Sequence, residues 1–196
     1  MCKQVVIIGA GGHAKVVADI VTKSGDKVVG FLDDFCTGEN ILGKISDCEN
    51  YKNCCFVIAI GSNRVRRDIF RKYSNLDYYT AVHPRAVISE NVTIEKGCAI
   101  MANAVVNSGA VLGRHTIINT SSVVEHDCRV GDFSHISPGA VLCGTVSVGD
   151  CTWIGAGAVV KNNVTVCDDC TVGCGAAVVK DITTPGIYAG VPAKEI

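Results

Sequence analysis

The stretch Asn119–Gly139, NTSSVVEHDCRVGDFSHISPG, concentrates side chains that could move a proton. His126 comes two residues after an aliphatic Val124, Asp127 follows it directly, and His135 lies nine residues on. An imidazole beside a carboxylate is the pairing of a general base. The ring takes a proton from an attacking nucleophile, and the carboxylate supports the imidazolium that forms. A second concentration lies near the amino terminus. Gly9-Ala10-Gly11-Gly12-His13-Ala14 fits G-x-G-x-x-A, and Asp33-Asp34 follows at about the twenty-residue spacing of a dinucleotide fingerprint. Glycines let the backbone approach a phosphate at a helix amino terminus, and a strand-end carboxylate can hold ribose hydroxyls.

The elements that must carry these groups are of two kinds. From Ile88 to Val178 an aliphatic residue falls on every sixth position (Ile88, Ile94, Ile100, Val106, Leu112, Ile118 and onward), sixteen times without a slip. A second register, four residues later, holds small side chains or valine: Val92, Cys98, Ala104, Ala110, Thr116, on to Ala176. No helix or ordinary strand has a period of six; a hexapeptide β-helix does. Each unit is one short strand and a corner, and it cannot bury its apolar face without a neighbour stacked on it.

Before the repeats, Lys3–Ile8, Lys27–Leu32 and Cys55–Ile60 read as strands, and Lys15–Thr22 and Asn63–Tyr73 as helices. That alternation predicts a small parallel sheet of Rossmann type. Fewer than 90 residues are available for it, so a nucleotide with one base, such as a nucleotide sugar, fits better than NAD. Arg64, Arg66, Arg67 and Arg71 are expected on a solvated helix face. His83-Pro84 marks the join, giving an α/β Rossmann-like nucleotide-sugar-binding domain over 1–82 and a β-helix domain with a carboxy-terminal tail over 83–196.

Composition limits the partners. The 196 residues carry a net charge of -1 and are 48% hydrophobic, so no global field attracts nucleic acid or an anionic membrane. The early apolar run Val5–Ile8 is too short for a signal peptide or a spanning helix, and a cytoplasmic protein is expected. The twelve cysteines are irregularly spaced, as in a reduced chain. Cys98, Cys128 and Cys170 occupy the small-residue register as fillers. Cys167, Cys170 and Cys174 have the spacing of a metal site, but the repeat phase turns them in different directions, and no metal is expected.

The run E-H-D, then G-D-F-S-H-I-S-P-G-A, together with G-A-G-G-H-A, F-L-D-D and the closing G-V-P-A-K, resembles bacterial UDP-4-amino-sugar N-acetyltransferases and the related sialic acid O-acetyltransferases. The resemblance covers nearly the whole chain. It implies a left-handed parallel β-helix, a three-sided prism with 18 residues per turn, and a homotrimer with acetyl-CoA between neighbouring prisms. With that turn length Gly144 stacks on His126, and Thr120, Pro138, Ala156 and Cys174 form a column of compact residues suited to an extended ligand. By position, the resemblance implies His126 as catalytic base, Asp127 where the family often has Glu, and Asn119 as a polar site residue. It implies acetyl-CoA contacts at His135, Gly144, Ala156 and Cys174, the last often glycine in relatives, and a UDP-sugar pocket at Gly11, Gly12, His13, Asp33, Asp34 and Gly61.

The implied reaction is direct acetyl transfer from acetyl-CoA to the amine of a UDP-linked 4-amino-4,6-dideoxy sugar, with the Gly144 N–H as a possible oxyanion donor. O-acetylation of a sialic or related nonulosonic acid would use the same base. A zinc carbonic anhydrase on the same prism needs three converging imidazoles, whereas His115, His126 and His135 fall at different hexapeptide positions. A non-catalytic scaffold and an NAD-dependent oxidoreductase are the remaining alternatives; the latter lacks a second nucleotide half.

Overall fold

Val5 and Ile7 of strand β1 (Gln4–Ile8) point to one side, Val6 and Ile8 to the other, and all four are fully buried. In the computed structural model, which describes residues 2–196, β1 is therefore a central strand. The sheet is wholly parallel, with strand order β3-β2-β1-β4, where β2 is Lys27–Leu32, β3 Ile41–Gly43 and β4 Cys55–Ile58. Helix α1 (Gly12–Lys23) packs Val17, Ile20 and Val21 with Val5 and Ile7. Helix α2 (Asn63–Lys72) lies on the other face with Ile69 and Phe70 near Val6, Ile8 and Phe56. The short β3 and a 3-10 helix, Ile45–Tyr51, add to the elements expected from sequence.

The rest of the chain is a parallel β-solenoid. Seventeen two-residue strands run from Ala81–Val82 to Ala177–Val178. Each pairs with strands 18 residues away: Val111–Leu112 lies between Thr93–Ile94 and Arg129–Val130. The second residue of each strand points inward, and the register Ile100 to Val178 forms one buried column with the small residues Ala104, Cys128, Ala158 and Cys170. Fully burying one such side chain stabilises by roughly 1.5–3 kcal/mol before ordering entropy is subtracted. The coil begins one hexapeptide earlier than Ile88, because Val82 already satisfies the register, and it makes close to six turns rather than five.

Every corner from Gly97 to Gly175 places one residue at positive φ, three positions after the inward aliphatic. Asn, Asp and Gly tolerate this left-handed backbone best, and the corners at 139, 157 and 175 are all glycine. At another edge the aspartates stack. Asp168 Oδ1 accepts the Asp150 N–H at 2.8 Å, and Asp150 Oδ1 the Asp132 N–H at 2.7 Å. Arg114 ends this ladder with its backbone N–H and guanidinium on Asp132.

The three faces differ on the outside. The first, with outward Ala81, Ala99, Ile117, His135, Trp153 and Thr171, receives α1 and the sheet at its amino-terminal end, where Ala99 and Ile117 share a core with Val17 and Ile20. The second presents Val87, Val105, Val123, Val141, Val159 and Ala177 in one column. The third presents Thr93, Val111, Arg129, Ser147 and Thr165. The tail continues the stack: Ile187–Ala189 lies parallel on Thr171–Val172, and antiparallel Lys194–Glu195 closes that edge.

Candidate active site

His126 and Asp127 form the corner between the second and third faces. His126 Nδ1 is 2.9 Å from Asp127 Oδ2, and both side chains are more than half exposed. With the carboxylate accepting at Nδ1, the ring proton resides there and Nε2 is the basic nitrogen. Two glycines make room for this pair. A Cβ on Gly144 would lie 2.5 Å from His126 Nε2, and a Cβ on Gly109, one turn the other way, would strike Asp127 Oδ1. The space that the missing Gly144 side chain leaves is filled in part by the imidazole itself.

Asn119 begins the corner at the opposite edge of the second face, and His135 stands beside it on the adjoining first face. Asn119 Oδ1 accepts the Thr120 N–H, which turns its Nδ2 to His135 Nε2 at 2.9 Å. An amide nitrogen only donates, so the proton of His135 is on Nδ1. That Nδ1 is buried without a partner, an unsatisfied donor. Burial, then the nearby Arg66 and His13, push the His135 pKa down to about 3. Trp153 stacks on the ring at 5.4 Å and donates its Nε1–H to Ser137 Oγ. Pro138, Ala156 and Cys174 continue up this edge, all at least partly accessible.

The amino-terminal loops converge at the carboxyl end of the sheet. Gly9 is required by its own geometry, with φ +104 and Ile60 Cγ1 only 2.8 Å from a built Cβ. Gly11, Gly12 and Gly61 are different. None has positive φ, and a Cβ on any of them would meet nothing within 4 Å. Internal packing gives no reason for glycine there, whereas an approaching phosphate does. Gly11 caps α1 with no side-chain hydrogen bond, and His13 in the first turn has a buried Nε2 without a partner. Burial, then Arg66, lower the His13 pKa to about 4.

Of the two expected carboxylates, Asp33 is occupied: Oδ2 accepts the Ala10 N–H, and Oδ1 those of Phe35 and Cys36. Asp34 uses one oxygen on the Ile45 N–H. A cavity of about 460 Å³, lined by Ser62, Asn63, Arg64, Trp153, Thr171 and Ile187, opens between the start of α2 and the first face.

The structure thus divides the expected site residues within one chain. His126, Asp127 and Gly144 share one edge; Asn119, His135, Ala156 and Cys174 share the other, beside the amino-terminal loops. The expected solvated face of α2 holds for Arg64 and Arg71 but not for Arg66 and Arg67. Arg66 is 1% exposed, and the Arg67 side chain only 25%, because this helix packs against the corners at His115, Phe133 and Cys151. Arg66 and Trp153 escaped the sequence reading, whereas Gly109 was reachable by subtracting 18 from Asp127. His115 is buried among Phe70, Tyr78 and Phe133, far from the exposure of His126. Among the described residues, no three His, Cys, Asp or Glu side chains gather to hold a metal, and no helix is long and apolar enough to cross a membrane.

Residues 4–73 match the family model described as the PglD N-terminal domain. UDP-N-acetylbacillosamine N-acetyltransferase of Bacillus subtilis (strain 168) is 35% identical over 114 residues, covering 51% of this chain and 52% of that protein. The chain spans about half or less of the length of the curated relatives it matches. The solved structures are matched nearly end to end. The acetyltransferase domain of PglB from Neisseria gonorrhoeae FA1090, in complex with acetyl coenzyme A, superposes with TM-score 0.96 at 36% identity, covering 100% of each chain. PerB from Caulobacter crescentus, in complex with CoA and GDP-perosamine, gives 0.92 at 36% identity, covering 100% of this chain and 98% of that one. The glycine-turn domain, the hexapeptide coil and these full-length likenesses agree: the chain belongs to the PglD-type sugar N-acetyltransferases.

Proposed function

We propose that this protein transfers an acetyl group from acetyl-CoA to the amine of a UDP-linked 4-amino-4,6-dideoxy sugar. The observation that carries the chemistry is the His126–Asp127 pair, with Nδ1 held by the carboxylate and Nε2 left basic. The amine nitrogen attacks the thioester carbonyl carbon. Its proton passes to His126 Nε2 as the N–C bond forms, and Asp127 supports the imidazolium. The C–S bond then breaks, and the CoA thiolate leaves and takes that proton. Gly144 packs against the imidazole, and its N–H is the proposed donor to the oxyanion. Acetyl-CoA is a co-substrate, and the edge of Pro138, Ala156 and Cys174 is the proposed track for its extended arm, with His135 beside it. Gly11, Gly12, His13, Asp34 and Gly61 would receive the nucleotide, with Asp33 holding their loop.

The working unit is proposed to be a homotrimer packed through the second face. Its outward column of Val87, Val105, Val123, Val141 and Val159 speaks for this, with Val87 60% and Val159 41% exposed in the separate chain. The division of the site speaks for it too. His126 and the Asn119–His135 edge flank that column, so joining two coils through it brings one chain's base toward another chain's acyl track.

The test offers acetyl-CoA with UDP-linked and GDP-linked 4-amino sugars and N-acetylneuraminic acid, and reads free CoA by chromatography or mass. Turnover of a UDP-amino sugar, lost in His126→Ala, is expected. Turnover of the GDP-sugar alone would reassign the nucleotide, turnover of the sialic acid alone would move the protein to O-acetylation, and silence without CoA binding would overturn the transferase reading.

A further inference from the structure

Arg66 is a buried cation whose six hydrogen-bond acceptors are all uncharged oxygens. Nε donates to His115 O at 2.8 Å. Nη1 donates to Ile60 O at 2.9 Å and Gly61 O at 3.1 Å. Nη2 donates to Asn63 Oδ1 at 3.0 Å, Phe133 O at 2.6 Å and Ser134 O at 3.4 Å. The partners come from both halves of the molecule. Ile60 and Gly61 belong to the loop after β4, beside the open glycines. Phe133 and Ser134 lead directly into His135. Around them Phe70, His115 and Phe133 form an aromatic layer, with centroids 4.7 to 5.6 Å apart.

Packing alone does not account for this choice. A buried charge costs desolvation, and well-packed apolar residues of similar volume often stabilise more. What a guanidinium adds is geometry: a planar fork whose donors fix several acceptors at once. Lysine has as many charges but neither the plane nor the reach in two directions.

We propose that Arg66 is a positioning residue for acetyl transfer: by gripping Ile60 and Gly61 on one side and Phe133 and Ser134 on the other, it sets the distance between the nucleotide loop and the His135–Asn119 edge. This rests on the acetyltransferase reading above. The acceptor sugar must reach the acyl group while its nucleotide is held on the sheet, so the separation of these two strips decides whether amine and thioester meet.

The experiment compares wild type, Arg66→Lys and Arg66→Met with the UDP-amino sugar that wild type turns over, and measures CoA binding by calorimetry. The expected result is a loss of about 100-fold in kcat/KM for the amino sugar, as for other small misplacements of reacting groups. CoA affinity should change far less than kcat/KM and assembly should be unchanged, and Lys should retain more activity than Met. A merely structural role would lower CoA affinity and melting temperature together with turnover, and that parallel loss would overturn the proposal, as would wild-type kcat/KM in folded variants. If neither Arg66 variant folds, Asn63→Ala removes one acceptor of Arg66 together with the Asn63 Nδ2 bond to Cys151 O; a smaller but selective loss for the amino sugar, absent in Cys151→Ala, supports the proposal, and none overturns it. Silence of the wild type itself fails the acetyltransferase reading instead, and the proposal falls with it.

Discussion

Gly144 lies one turn from His126 with no room for a methyl group between them: a Cβ there would sit 2.5 Å from Nε2. The glycine and the imidazole therefore depend on each other. Gly144→Ala must push the ring away from its place against Asp127 or off the edge of the coil. We expect kcat to fall about 100-fold with the coil intact, since displacing a reacting group by an ångström costs on that order. His126→Ala should cost about 100- to 10,000-fold, the range for a positioned base. Steady-state kinetics beside a melting curve separate these losses from unfolding.

The amino-terminal glycines should divide into two classes. Gly9→Ala meets Ile60 and a positive φ, so it should lower the melting temperature. Gly11→Ala and Gly61→Ala meet open space and should leave the melting temperature within a degree or so of wild type. Calorimetric titration with UDP should nevertheless show weakened binding in both. Unchanged UDP affinity would remove the nucleotide from this loop.

Acid should begin to weaken the fold above the usual carboxylate range. Burial lowers the pKa of His13 and His115 from 6.5 to about 4, and that of His135 to about 3. In each case the unfolded chain binds the proton first. Stability is therefore complete above pH 6.5 and declines as pH falls toward 4, with His135 extending the decline toward 3. Melting temperatures measured from pH 7.5 downward should drop through this window. A flat profile between pH 6.5 and 4 would contradict the burial of these rings.

The valine column makes a prediction about assembly. Val123→Asp sets a charge in the middle of the second face, where a partner coil would have to desolvate it. Light scattering should report monomers in place of trimers, with turnover lost although His126 is untouched. Trimers with normal activity would require the chains to join through another face.

Much of this was legible in residue spacing. A period of six forces a coil of short strands, because each aliphatic needs a neighbour above and below, and the His126-Asp127 corner follows from its place two residues after Val124. The start of the coil at Val82 was missed because the strand belongs to the register but precedes His83-Pro84. Arg66 was unreadable for a different reason. It sits among Arg64, Arg67 and Arg71 on a short helix, and only the docking of that helix on Phe133 and Ser134 buries it. That Asp33 also holds the N–H groups of Ala10, Phe35 and Cys36 was not legible, since only the folded turn brings those free N–H groups to the carboxylate.

Adjacent strands of a sheet are about 4.8 Å apart, so Pro138, Ala156 and Cys174, one turn apart, graduate the edge of the coil in steps of that size. The aspartate ladder, the glycine corners and the inward aliphatics all repeat on the same 18-residue interval. An insertion or deletion of a whole turn keeps every ladder in phase, whereas one of 17 or 19 residues breaks all of them. The coil is thus a ruler whose length changes only by whole divisions. Added turns beyond Cys174 would lengthen the reach available to a ligand while leaving the corner at His126 as it is.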